Sequence, residues 1–280
     1  MKKFQCTHSC SLLDSLIEAF PDTSKSNLRS WIKHERVVVG GKTVKIPTYT
    51  VKVGDQIQIN EKRQRISKGI EVLYQDRDIV VIEKPAKLLS VASETEHEHT
   101  AHGALKKMFY PNTVHIVHRL DEDTSGIMMF ALNERARDSL KKTFEIHDIK
   151  RKYAAIIEGN LKEPSGTWTS YLYEDPRLVM HSTYDTQKGR RAVTHFQVEK
   201  QGRHFCQLTL TLETGRKNQI RVHCADAGHP VVGDKKYGSK SNPIKRMALH
   251  AYFLEFKHPR TGVVKSFSST IPTAFLRLVS

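Results

Sequence analysis

Between residues 72 and 212 the apolar side chains come in six short runs, Val72–Tyr74, Ile79–Ile82, Ile127–Phe130, Tyr153–Ile157, Ala192–Phe196 and Cys206–Leu212. Runs this short, bounded by polar segments and rich in β-branched residues, predict buried strands rather than helices. One stretch among them has helical spacing, from Asn133 as N-cap through Ala136, Leu140 and Phe144. Strands that precede and follow isolated helices, without regular βα alternation, predict an α+β domain built on a mixed, mainly antiparallel sheet. The sequence holds no internal repeat, no G-x-G-x-x-G and no P-loop, which argues against a nucleotide-cofactor enzyme.

The first sixty residues read as a separate unit. Leu12, Leu13, Leu16, Ile17 and Phe20 recur at helical spacing up to Pro21-Asp22. A second helix is expected from Ser24 as N-cap, with Leu28, Trp31 and Ile32 on its buried side and its end near His34. Val37–Val39, Gly40-Gly41 and Lys42–Val44 predict a hairpin, and Val51, Val53, Ile57 and Ile59 two more short strands. The polar, highly charged residues 61–70 then read as a linker, leaving 71–280 as the larger domain. A chain of 280 residues accommodates both.

Charge narrows the partners. Lys and Arg number 45 against 30 Asp and Glu, a net +15, and +7 of this falls in residues 1–70. Lys25, Arg29 and Lys33 stack at i, i+4 and i+8 along one face of the second helix. Such a stripe alone is often only a solvated helix face, but the regional excess favours a polyanion, RNA. With a mean hydropathy of −0.49, no apolar run of membrane-spanning length and no secretory leader, a cytoplasmic protein that binds no membrane is expected. Four scattered cysteines, Cys6, Cys10, Cys206 and Cys224, suit reduced thiols. Neither Cys6-x3-Cys10 around His8 nor the polar cluster His97, His99, His102 has the second pair of ligands that zinc requires, so no metal is expected.

The segment His115–Gly126 runs from an apolar strand start into HRLDEDTSG, placing charged side chains at a strand-to-loop transition. As extended chain it turns Arg119 and Asp121 to one side and His118 and Leu120 to the other. A guanidinium and a carboxylate then share a cleft. An ordinary turn with carboxylates capping backbone amides would give the same residue types.

HRLDEDTSG resembles the H-R-L-D-x-x-T-S-G signature of the RluA-type pseudouridine synthases, which isomerise uridine in structured RNA. EKPAKLLSV (83–91), RKYAAIIEG (151–159) and LETGRKNQIRVHCADAGHPVVGDKKYG (212–238) resemble three further family segments in the same order. Residues 12–60 are similar to the alpha-L RNA-binding fold of a ribosomal small-subunit protein and of tyrosyl-tRNA synthetases. The resemblance implies a pseudouridine synthase catalytic domain behind a small N-terminal alpha-L domain, working without metal or cofactor. By the family pattern Asp121 starts the reaction, either as nucleophile or as a base that removes the C2′ proton. Arg221 keeps it ionised, Tyr153 lies against the uracil and relays the C5 proton, and Arg119 enters the RNA to hold the base out of its stack. The expected substrate is large-subunit ribosomal RNA and the expected state a monomer. Transfer RNA as substrate, and a non-catalytic ribosome-assembly factor, are the alternatives. A glycosidase is disfavoured because adjacent carboxylates rarely make a facing pair. Lys87 replaces a common Gly, and Lys217-Asn218 a common Thr/Ser-His; neither departure is expected to touch Asp121, Tyr153 or Arg221.

Overall fold

A computed structural model describes residues 2–33, 36–59, 64–93, 96 and 99–280. The chain divides into two compact units, Met1–Gln64 and Arg65–Ser280.

The first unit contains β1 (Lys2–Gln5), β2 (Cys10–Ser11), α1 (Leu12–Ala19), α2 (Lys25–Lys33), β3 (Val37–Val39), β4 (Lys42–Thr43), β5 (Thr50–Val51) and β6 (Gln56–Ile59). Its main sheet runs β1-β6-β3-β4, antiparallel throughout. Leu12 and Leu16 of α1 and Leu28 and Ile32 of α2 are fully buried with Val37 and Ile57, so the helical spacing becomes the core. Ser24 accepts the Asn27 N–H at 3.3 Å and starts α2. The β3–β4 hairpin turns through Gly40 and Gly41 at φ 54° and 81°, the two positive values that a type I′ turn requires. Lys25, Arg29 and Lys33 are all exposed. Val53 is 68 % exposed in a turn and belongs to no strand, and His34 lies outside the described residues.

The expected linker is corrected. Residues 61–63 lie outside the described set, but β7 (Gln64–Arg65) is a strand, and Ile66 N–H bonds the Ile70 carbonyl at 2.9 Å. Ile70 is fully buried in the core of the second unit, because an apolar residue ends the charged run and anchors it there.

In the second unit β8 (Glu71–Gln75), β9 (Ile79–Lys84), α3 (Ala101–Phe109), β10 (His115–Ile116), β11 (Ser125–Ala131), α4 (Glu134–Glu145), β12 (Ile149–Glu158), β13 (Ser165–Glu174), β14 (Met180–Thr183), β15 (Arg190–Gln201), β16 (Phe205–Leu212), α5 (Gln219–Asp226), β17 (Leu249–Lys257), β18 (Val264–Ser268) and α6 (Thr273–Leu276) follow in order. They build one long sheet, β14-β13-β15-β16-β12-β17-β11-β9-β8, with β10 beside β11 and β18 beside β17. Among the described strand pairs of this unit, β11 and β17 alone run in parallel. The α+β class and the mixed, mainly antiparallel sheet are therefore as the sequence predicts.

Every residue of β11 is buried because both sheet faces are covered. Ile127 and Met129 pack with Leu140 of α4, and Met128 and Phe130 join the core that holds Leu105 of α3. Asn133 caps α4 by accepting the Ala136 N–H at 2.9 Å. One row across the sheet centre fixes the site: Gly126 of β11 lies against Ala251 of β17, which pairs with Tyr153 of β12. A Cβ at Gly126 would stand 2.2 Å from the Ala251 carbonyl oxygen, so only glycine permits this approach.

Candidate active site

Asp121 sits on the loop between β10 and β11, and its neighbours are pinned. Leu120 is buried; its N–H donates to Ser90 Oγ at 3.0 Å, and Ser90 Oγ donates back to the Leu120 carbonyl at 2.5 Å. On the other side, the fully buried Lys84 ammonium donates to the carbonyls of Glu122, Pro85 and Leu88 at 3.0, 3.0 and 2.6 Å. Burial pulls the Lys84 pKa down to about 7, against the opposing charges of Asp121 and Asp123. His118 accepts the Met129 N–H at 3.0 Å and stacks on Phe144. Burial, with Arg151 adding to it, lowers its pKa to about 3, so the ring is neutral and able to accept.

Arg221 comes from α5, a helix the sequence reading did not anticipate. Gln219 organises its start by accepting from Thr214 Oγ1 at 2.7 Å and Arg216 N–H at 3.0 Å, and by donating to the Val193 carbonyl at 2.9 Å. Arg221 then points at Asp121: its Nη1 donates to Asp121 Oδ2 at 3.2 Å. From behind, Asp234 accepts from Nε at 2.6 Å and Nη2 at 2.8 Å, a two-pronged grip on the planar guanidinium. Burial opposes the charge on Arg221, but Asp234 and then Asp121 outweigh it, and the pKa is raised. The guanidinium also lies 4.9 Å over the Tyr237 ring.

Asp234 and Tyr237 fall inside VVGDKKYG, yet no role attaches to them from sequence; an acid in a lysine-rich turn gives no sign of being 2 % exposed. The expectation for Asn218 is overturned. It occupies the left-handed region at φ 52°, and its Oδ1 accepts from Arg221 Nη1 at 3.2 Å while its Nδ2 donates to the Tyr237 hydroxyl at 2.9 Å. Lys217 instead pairs with Glu174.

Tyr153 is 8 % exposed, and among the described residues its hydroxyl makes no hydrogen bond. Burial raises its pKa, Arg151 opposes the rise and Asp121 adds to it, so the phenol is protonated and within electrostatic reach of both. Arg119 is exposed and makes no ion pair among the described residues, with neither Glu122 nor Asp123. Lys87 has φ 62°, the conformation in which glycine is unstrained. Pro85, Leu88, Leu89, His99 and Glu122 line a cleft of about 860 Å³ beside the loop. Asp121, Tyr153 and Arg221 are thus brought together. Lys25, Arg29 and Lys33 belong to the other unit.

Residues 78–226 match the RNA pseudouridylate synthase family, and residues 12–57 match the S4 domain. The chain belongs to the RNA pseudouridylate synthase family. It is 32 % identical to "Ribosomal large subunit pseudouridine synthase D" of Escherichia coli (strain K12), over 95 % of this chain and 88 % of that protein. With the protein of the same description from Pasteurella multocida (strain Pm70) it shares 34 % identity, over 95 % and 89 %. The solved human RNA pseudouridylate synthase domain containing 1 aligns with TM-score 0.61 and 25 % identity, covering 75 % of this chain and 86 % of that one.

The synthase isomerises a uridine within RNA: the bond from uracil N1 to C1′ breaks, and one from C5 to C1′ forms. The site offers such a reaction a carboxylate on a rigid loop, a fixed cation against it and a buried aromatic hydroxyl.

Proposed function

We propose that this synthase makes pseudouridine in large-subunit ribosomal RNA, with Asp121 opening the reaction. The observation that carries this reading is the 3.2 Å contact between Asp121 and an Arg221 guanidinium gripped from behind by Asp234. A carboxylate that must act while shielded from water needs a fixed cation beside it. Tyr153 lies against the uracil and relays the C5 proton. Arg119, exposed two residues before Asp121 and without an ion pair among the described residues, enters the space that the extruded nucleotide leaves. Flipping costs a few kcal/mol, and a planar guanidinium that stacks and hydrogen-bonds together offsets part of it. The S4 domain, the net charge of +15 and relatives whose descriptions name the large ribosomal subunit support ribosomal RNA over transfer RNA.

Carbodiimide mapping of pseudouridine in total RNA, from cells with and without the protein, tests the proposal. Sites in large-subunit RNA should disappear with the protein and return with the wild type but not with Asp121→Asn. Loss confined to transfer RNA, or no loss, would overturn it.

A further inference from the structure

Arg151 is a buried cation with no anion. It is 8 % exposed, and among the described residues it forms no ion pair and no hydrogen bond; its Nε is sealed from solvent without a partner. The neighbours that shape its pocket carry no negative charge. The guanidinium carbon lies 5.5 Å from the Phe144 ring centroid, and Nη1 occupies space that a Cβ at Gly215 would invade at 2.5 Å. The nearby His118 ring is neutral. Burying a charge without an opposing charge is a standing cost to the fold. Hydrophobic residues of the same volume would avoid it, so the charge calls for a reason outside the resting protein.

The strand supplies that reason. Arg151 and Tyr153 are two residues apart on β12 and both buried; the register against β17 shifts between Lys152 and Tyr153, but each side chain still lies within electrostatic reach of the other. When the bond from N1 to C1′ breaks heterolytically, its electron pair departs with uracil, and the base carries a negative charge spread over N1, O2 and O4. The charge persists until C5 donates a pair to C1′, after which the C5 proton leaves and N1 gains one. A flat base resting on Tyr153 comes near Arg151. We infer that Arg151 is a positioning residue whose charge, acting from beside Tyr153 without touching the base, stabilises the detached uracil anion. This inference rests on the reading that the uracil lies against Tyr153.

The test compares full-length wild type with R151K, R151Q and R151M, in single-turnover conversion of a target RNA at saturating enzyme, alongside RNA affinity and melting temperature. Charge should decide the rate: R151K stays within about 5-fold of wild type, while R151M and R151Q slow about 100-fold, the usual effect of losing one preorganised electrostatic group. RNA affinity should hold within about 2-fold, and R151M should melt no lower than wild type, because a desolvated charge has gone. A second substrate carries 5-fluorouridine at the target; it has no C5 proton to lose, so water adds across N1 and C6 of the rejoined base instead, and nucleoside chromatography of the digest reads that C5-linked product. The base of this substrate is the better leaving group and needs less help, so the R151M slowdown should shrink at least about 5-fold. Equal slowdowns on both substrates, R151K as slow as R151M, or rates that track melting temperature instead of charge would overturn the inference. A wild type inactive on ribosomal RNA refutes the substrate reading; a fully active R151M refutes only this one.

Discussion

Asp234→Asn isolates what the grip on Arg221 is worth. The substitution keeps the side chain's shape but removes its charge, and it turns one of two acceptors into an amide donor that faces a guanidinium N–H. The Asp234 side chain is 1 % exposed and that of Arg221 11 %, so water screens the pair little. Breaking a buried pair costs roughly 3–5 kcal/mol. Asp121 and Asn218 still hold Nη1, which puts the expected loss at the lower end, about 3 kcal/mol. For a domain of this size that lowers the melting temperature by about 6–12 °C. Freed at its far edge, the guanidinium swings away from Asp121, and a misplacement of about 1 Å costs roughly 100-fold in rate. Tritium release from RNA labelled at uracil C5, under single-turnover conditions well below the variant's melting temperature, reads the rate, and filter binding reads affinity. Turnover should fall about 100-fold with RNA affinity within about 2-fold. A variant that keeps more than half of wild-type turnover, or loses turnover only in proportion to affinity, would refute the reasoning.

Three further outcomes follow from the same geometry. Burial holds His118, His223 and His250 neutral, with pKa values lowered from 6.5 to about 3, 4 and 4. The unfolded chain protonates them first, so stability is full above pH 6.5 and declines as pH falls towards 4; His250→Gln should reduce that slope by about 1.4 kcal/mol per pH unit, and a melting temperature that stays level on acidification contradicts this. Gly126→Ala places a methyl 2.2 Å from a backbone oxygen at φ 122°, and it should cost at least about 3 kcal/mol in thermal unfolding; a wild-type melting curve would show that β11 and β17 separate easily. Reversing Lys25, Arg29 and Lys33 to Glu should weaken RNA binding and flatten its salt dependence by roughly two to three in log–log slope, and an unchanged slope would mean α2 touches no phosphate.

The strands most plainly legible in the sequence are those with both faces covered. IVVI in β9, IMMF in β11 and YAAII in β12 are apolar without interruption because helices or loops cover both sides. β13 gives no strand signal in the sequence because its first five residues alternate between exposed and half-buried at the sheet's rim, and their Thr and Ser content resembles a loop. Most of α5 is buried, including Ile220, Val222, His223 and Cys224, so it shows no polar face and no helical period. Asp121 and Arg221 stand 100 residues apart, and only the family pattern joined them before the fold did. The contact of Asn218 with Arg221 depends on a left-handed backbone that the sequence does not show and that turns its amide onto the guanidinium. The missing counter-charge of Arg151 is likewise a property of packing alone.

The most direct measurement is tritium release by Asp121→Asn beside wild type, on the same C5-labelled RNA and at enzyme concentrations that saturate binding in both. The account expects stoichiometric release by the wild type and none by the variant, with RNA affinity within about 2-fold because the carboxylate contributes little to holding the substrate. Appreciable release by the variant would contradict it, since the first bond would then break without the group assigned to break it.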